Sequence, residues 1–232
     1  MTTPAPLPYG TPQTPRLAVL GEAHLDVDPE IAHLHITITA RGTDRRTTLD
    51  ETTRRNRTAL DLIRGYGDAV EKVETSTLTL APETAEKSRR ERVRSYLGTI
   101  HLTATVNDFT ALGELATRLA DLDLTRVEGP WWALRPDSPV HGEARQQAVR
   151  EAVRRAREYA TALGAELTAL VELADTGAEN ERPLPYPAPH MMRTAFAGTV
   201  PDEAAAPLDL QPQRQSVHAQ VSARFTMTPP AL

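Results

Sequence analysis

The chain has 232 residues, of which 26 are Lys or Arg and 31 are Asp or Glu, so its formal net charge at pH 7 is −5. A net negative chain is a poor match for nucleic acid or an anionic membrane surface, and we expect neither as a partner. The absence of cysteine excludes disulfides, thiolate nucleophiles and thiolate metal sites.

The first two predicted elements are strands joined by a tight turn. Apolar and polar side chains alternate over residues 17–27 and again over residues 31–40, and this period of two is typical of strands with one buried face. Asp28-Pro29-Glu30 between them is a turn sequence. The sequence therefore predicts a β-hairpin here, preceded by a Pro-rich segment, residues 1–15, that we expect to be disordered.

Helices and strands alternate along the rest of the chain. Apolar spacing predicts helices over about 43–64, 107–120 and 138–163, and alternation predicts strands over 73–80, 96–106, 127–134, 167–173 and 217–227. The Pro- and Ala-rich stretch 176–215 is typical of a flexible excursion. The order is ββαββαβαββ, which predicts an α+β fold with helices packed on one face of an antiparallel sheet. We expect a single domain over residues 16–228, closed by a returning C-terminal strand.

Four histidines lie on the polar sides of these strands. In the predicted hairpin, His24 falls opposite His33 or His35, depending on the register, and His101 lies on another strand. Neutral imidazole is a ligand for zinc and copper, so these four side chains are the candidate metal site. Their spacing is not diagnostic, and the other interpretation is an ordinary solvated strand surface.

Threonines line the same polar sides, at positions 37, 39, 77, 79, 99, 103 and 105. They suit a solvated sheet surface, because threonine is polar and favours strands. They also suit a contact between subunits, for which the candidates are Thr37, Thr39 and Thr103. Trp131 and Trp132 are adjacent, so one points inward and one outward on a strand, and we take Trp132 as a candidate partner contact.

Known catalytic motifs are missing from the sequence. It has no nucleophile elbow, Walker loop, HExxH motif or dinucleotide-binding glycine fingerprint, so we expect no enzyme activity and no cofactor. No stretch approaches the roughly 20 apolar residues of a membrane span. Residues 1–16 lack the apolar core of a secretory signal, which favours a cytoplasmic location.

The order of elements resembles that of the SIMPL-domain family. The matching segments are Val19-Leu20-Gly21-Glu22-Ala23, Val27-Asp28-Pro29-Glu30, residues 74–80, residues 96–108, residues 143–164 and residues 217–227. The family is named for a signalling molecule associated with mouse pelle-like kinase, and it includes bacterial oxidative-stress and periplasmic antigen proteins. Its bacterial members usually carry a signal peptide, and the sequence departs from them in that respect.

The resemblance implies a non-enzymatic domain of poorly defined function, and it offers no catalytic residue. Some members of the family are similar to ring- or channel-like homo-oligomers, and others are linked to stress tolerance. We therefore expect a bacterial, homo-oligomeric binding or assembly module, with an unidentified protein as a further partner. The alternative is a metal- or small-ligand-binding protein that uses the histidine cluster.

Overall fold

The computed structural model describes residues 10–84, 93–175 and 208–231. The strands in these ranges are β1 (Gly10–Thr11), β2 (Thr14–Val27), β3 (Ile31–Gly42), β4 (Val70–Thr84), β5 (Val93–Val106), β6 (Thr125–Ala133), β7 (Leu167–Asp175) and β8 (Gln215–Met227), and the helices are α1 (Arg45–Arg64), α2 (Phe109–Ala120) and α3 (Pro139–Ala162). The predicted α+β fold is confirmed. A short 3-10 helix, Gly67–Ala69, precedes β4, and none of the described helices is long and apolar enough to cross a membrane.

The predictions for the irregular segments have mixed outcomes. β1 pairs with the start of β2, so part of the segment expected to be disordered forms a strand. Most of the excursion predicted over residues 176–215 lies outside the described residues. Residues 208–214 are described and have no regular secondary structure, and β8 begins at Gln215.

The strands form two four-stranded sheets, in the orders β1-β2-β8-β7 and β4-β5-β3-β6. The first sheet and α3 belong to one compact unit, which we call the terminal unit. The second sheet, α1, α2 and residues 208–215 belong to the other, the central unit. The predicted single domain therefore contains two compact units.

The predicted β2–β3 hairpin is wrong, because β2 and β3 lie in different sheets. β3 pairs antiparallel with β5 and β6 instead. Alternation of side chains identifies a strand but does not identify its partners. The sequence Asp28-Pro29-Glu30 therefore joins two sheets rather than two paired strands.

In the central unit, α1 and α2 cover one face of the sheet. Leu34, Ile36 and Ile38 of β3 are fully buried there, because alternate side chains of a strand share a face. The other buried core residues are Ala32, Ala59, Ile63, Ile100, Leu102, Ala104, Val106, Leu112, Leu115, Ala116 and Leu119. This core consists largely of leucine, isoleucine and valine.

α1 approaches β5 closely at a glycine. A Cβ atom at Gly98 would lie 2.1 Å from the hydroxyl oxygen of Thr52, so only glycine leaves room for this side chain. The same hydroxyl donates a hydrogen bond to the carbonyl oxygen of Thr48 at 2.7 Å. A buried threonine therefore fills the space between this helix and its sheet.

In the terminal unit, α3 packs on its sheet through alanines. The buried stripe consists of Ala144, Ala148, Ala152, Ala156 and Ala160. A Cβ atom at Gly21 of β2 would lie 2.1 Å from the carbonyl oxygen of Ala148 and 2.6 Å from the amide nitrogen of Ala152. The helix backbone itself therefore contacts the strand, and the core is completed by Val19, Ala23, Val221, Ala223 and Phe225.

Both units contain the same pair of sequence patterns. Residues 20–25 and 97–102 share the pattern Leu-Gly-x-x-His-Leu, and residues 51–57 and 151–157 share the pattern Glu-x-x-Arg-Arg-x-Arg. In each unit the strand glycine packs against the helix at the residue that follows the glutamate. One helix-on-strand contact thus occurs twice in the chain.

Candidate binding face

The candidate site is the face of the central sheet that lies opposite α1 and α2. The strand register arranges its side chains in four rows that cross β4, β5, β3 and β6. The rows are Lys72, Thr105, His33 and Trp131; Glu74, Thr103, His35 and Glu128; Thr77, His101, Thr37 and Arg126; and Thr79, Thr99 and Thr39. We call these residues the His/Thr face.

Hydroxyl groups hold two of the imidazoles on this face. Nδ1 of His33 lies 3.1 Å from the hydroxyl oxygen of Thr105, and Nδ1 of His101 lies 3.0 Å from that of Thr37. A hydroxyl can donate to a neutral imidazole or accept from a protonated one. These contacts therefore suit both protonation states of the rings.

The candidate contact threonines Thr37, Thr39 and Thr103 all lie on the His/Thr face, where they are half-buried. The hydroxyl of Thr39 donates to the carbonyl oxygen of Leu124 at 3.0 Å. Their place on this face follows from the alternation of β3 and β5, which the sequence shows directly. Whether they contact a second subunit stays a prediction.

The exposed tryptophan is Trp131, and its ring centroid lies 4.3 Å from that of His35. Trp131 is 40% exposed. Trp132, the candidate from the sequence, packs edge-on against Phe109 at 4.8 Å and contributes to the core. The register of β6 shifts around Gly129-Pro130, so alternation alone could not assign the two rings to their faces.

The permanent charges on the His/Thr face are paired with one another. Nζ of Lys72 lies 2.7 Å from Oε1 of Glu74, and a guanidinium nitrogen of Arg126 lies 2.5 Å from Oε1 of Glu128. Burial lowers the pKa of His33 below its usual value, and the neighbouring His35 lowers the pKa of His33 further. The face therefore carries little net charge at neutral pH.

The four predicted histidines do not come together. His33, His35 and His101 share the His/Thr face, but His24 lies on β2 in the terminal unit. There its Nε2 lies 2.7 Å from the hydroxyl of Ser216. The predicted convergence depended on the β2–β3 hairpin, which does not form. Within the described ranges, no group of three or more His, Asp or Glu side chains could hold a metal ion.

A second exposed surface, missed in the sequence, lies on β7. This strand is at one edge of the terminal sheet and pairs with β8. Its residues Leu170, Val171 and Leu173 are 54%, 50% and 46% exposed. Three large apolar residues within four positions were visible in the sequence. Their exposure depends on the place of β7 at the sheet edge, which the sequence does not show.

Comparisons with known proteins give limited further information. No curated protein matches the chain. A solved structure described as a "putative amidohydrolase/peptidase from Burkholderia cenocepacia" is 13% identical, with a TM-score of 0.26. The match covers 58% of this chain and 34% of that protein, and at this TM-score it supports no argument about fold or function. The model of the SIMPL family, described as a protein of unknown function (DUF541), matches residues 17–225. This match covers most of the chain and confirms the resemblance seen in the sequence, so the chain belongs to the SIMPL family.

Proposed function

We propose that this protein is a non-enzymatic assembly module that forms homo-oligomers through β7. The observation that supports the proposal is the run of half-exposed apolar side chains, Leu170, Val171 and Leu173, on an edge strand. Edge strands offer backbone groups to which another strand can pair, and exposed apolar edges favour such pairing. The expected cytoplasmic location and stress-related role stay predictions.

The charge that lies among these apolar residues of β7 does little to oppose pairing. Charged side chains commonly protect an edge strand from other chains. On β7, the carboxylate of Glu172 accepts hydrogen bonds from the guanidinium of Arg224 on the neighbouring strand β8. This negative charge is therefore compensated within the sheet, beside the three apolar side chains.

The occupant we propose is the β7 strand of a second copy. Two identical strands pair antiparallel across a two-fold axis, and the apolar side chains of one strand then lie beside those of the other. Such a contact extends the terminal sheet from one copy into the next. It needs no ligand and no chemical step, which agrees with the lack of catalytic motifs in the sequence.

The test is the mass of the full chain in solution, measured by light scattering over a range of concentrations. We expect a multiple of the 25.4 kDa chain mass. The substitution Val171→Lys places a charge in the proposed contact, and we expect it to weaken association at least tenfold, about 1.4 kcal/mol.

The matched control is Leu208→Lys, because Leu208 is 56% exposed and lies outside every strand. We expect this variant to associate like the unmodified chain. A monomer at every concentration, or equal association of the Val171→Lys variant and the unmodified chain, would contradict assembly through β7.

A further inference from the structure

We propose that the His/Thr face of the central unit is a docking surface for an acidic protein segment, and that its affinity rises as the pH falls from about 7.5 to about 5. This surface is distinct from β7, so the inference does not depend on the proposed assembly. It rests on which charges on the face are fixed and which change with pH.

The fixed charges on this face cancel. The strands contribute Lys72 and Glu74 from β4, and Arg126 and Glu128 from β6. Each cation lies within 2.7 Å of the carboxylate on its own strand. β3 and β5 contribute only histidine among the ionisable residues of these rows, and α1 and α2 pack on the opposite face. The next residue of β3 on this side, Arg41, pairs with Glu83 of β4 at 2.8 Å. The imidazoles therefore set how the charge of the face changes with pH.

Three imidazoles, those of His33, His35 and His101, lie on two adjacent strands of this face. The two on β3 are two residues apart, which separates them by about 7 Å along the strand. Histidine ordinarily titrates near pH 6.5. As the pH falls through this range, the face gains up to three positive charges and changes from nearly neutral to cationic.

The geometry allows these rings to carry a proton while they remain in place. His33 and His101 each contact a threonine hydroxyl, which can accept from the protonated ring. The ring of His35 lies 4.3 Å from that of Trp131, where an aromatic face stabilises a cation. Burial and, after it, the neighbouring His35 lower the pKa of His33.

An acidic segment matches this surface in both charge and chemistry. Carboxylates pair with imidazolium groups and accept hydrogen bonds from threonine hydroxyls, which run in rows across β4, β5 and β3. Trp131 is 40% exposed beside His35 and provides an apolar anchor of the kind that interfaces favour. The face thus offers pH-dependent charge together with a fixed aromatic contact.

The experiment measures binding of fluorescent poly-L-glutamate to the full chain by anisotropy, at low salt and at the two pH values. We expect binding at least tenfold tighter at the lower pH, and a smaller gain at high salt because the attraction is screened. The double variant His35→Gln, His101→Gln should lose most of this gain. Both residues are exposed, so we expect the fold to persist, which circular dichroism checks.

The matched control is the double variant His24→Gln, His218→Gln. These two exposed histidines lie in the terminal sheet, with ring centroids 6.1 Å apart, and we expect this variant to keep the full gain. The inference is overturned if the gain survives His35→Gln, His101→Gln or is lost in the control. Tighter binding of a single-stranded oligonucleotide than of poly-L-glutamate at the lower pH would overturn the assignment to an acidic protein segment.

Discussion

The same helix-on-strand contact occurs in both units, but different atoms of the helix meet the strand glycine. In the central unit, a Cβ at Gly98 would collide with the side chain of Thr52. In the terminal unit, a Cβ at Gly21 would collide with the backbone of α3 at Ala148 and Ala152. A shared sequence pattern therefore marks where helix and strand meet, and the contact is filled by a side chain in the central unit and by helix backbone in the terminal unit.

The second arginine of the repeated helix pattern has an equivalent role in both units. A guanidinium nitrogen of Arg55 donates to the carbonyl oxygen of Asp123 at 2.6 Å, and one of Arg155 donates to that of Leu20 at 3.1 Å. Each arginine thus ties its helix to the backbone of its own unit. The arginine hydrogen bond is therefore repeated in both units, although the atoms packed against the strand glycine differ.

The cores differ in the size of their side chains. The central core is built mainly from leucine and isoleucine, whereas helix α3 contributes only alanines to the buried stripe of the terminal core. Hydrophobic stabilisation grows with the apolar area buried. We therefore expect the central unit to depend on large side chains and the terminal unit to depend on close backbone approach.

The largest expected effect comes from shortening a central core residue. Leu34 is fully buried, so Leu34→Ala should lower the free energy of unfolding by about 2–5 kcal/mol, through lost burial and the cavity left behind. Urea denaturation measures the loss, and hydrogen exchange should show weaker protection in the central unit. Leu20→Ala, at an exposed residue of β2, is the control and should change stability little. If Leu34→Ala and Leu20→Ala lowered the free energy of unfolding by similar amounts, the dependence of the central unit on its large buried side chains would be contradicted.

The next effect separates the two glycine contacts. Gly21→Ala and Gly98→Ala should each destabilise by about 1–3 kcal/mol through overpacking. Thr52→Ala removes the hydroxyl that meets the new Cβ at Gly98, so it should partly rescue Gly98→Ala in a double-mutant cycle. Ala152→Gly should not rescue Gly21→Ala, because the closest atom there is the carbonyl oxygen of Ala148. Equal coupling energies in the two double-mutant cycles would contradict the distinction between a side-chain contact at Gly98 and a backbone contact at Gly21.

The smallest expected effect concerns the repeated glutamate. Hydrogen bonds from Arg54 and then from Arg55 lower the pKa of the Glu51 carboxyl to about 2, and the equivalent arginines lower the pKa of Glu151. A carboxyl whose pKa is lower in the folded state stabilises the fold above its unfolded pKa, and this contribution is lost as the pH falls toward the folded pKa. Both groups lie at the surface, so the contribution is small.

We therefore expect Glu51→Gln and Glu151→Gln to lower the midpoint of thermal unfolding slightly at neutral pH. The difference from the unmodified chain should shrink as the pH falls through about 4 toward 2, where the carboxyl becomes protonated. Calorimetry over this range measures both variants. A difference that grows on acidification would contradict the assigned ion pairs.

Much of the fold could be predicted because the patterns that form helices and strands are local. The alternation in β3 and β5 placed His33, Thr37 and Thr103 on a polar face, and the structure puts them there. Sheet partners depend on contacts between distant segments, so the pairing of His24 with the other histidines could not be tested from the sequence. Trp131 was missed for a local reason, since the shift around Gly129-Pro130 resets the alternation.

β8 has a consequence for the order in which the chain can fold during synthesis. Most of the central unit lies within residues 28–135, so these residues leave the ribosome together and can bury most of their core early. The terminal core needs Val221, Ala223 and Phe225 from β8, which are synthesised after residues 28–135 and after α3. The alanine stripe of α3 is therefore synthesised well before the strand that completes its core, and during that interval the nascent chain has an incomplete terminal unit for chaperones to protect.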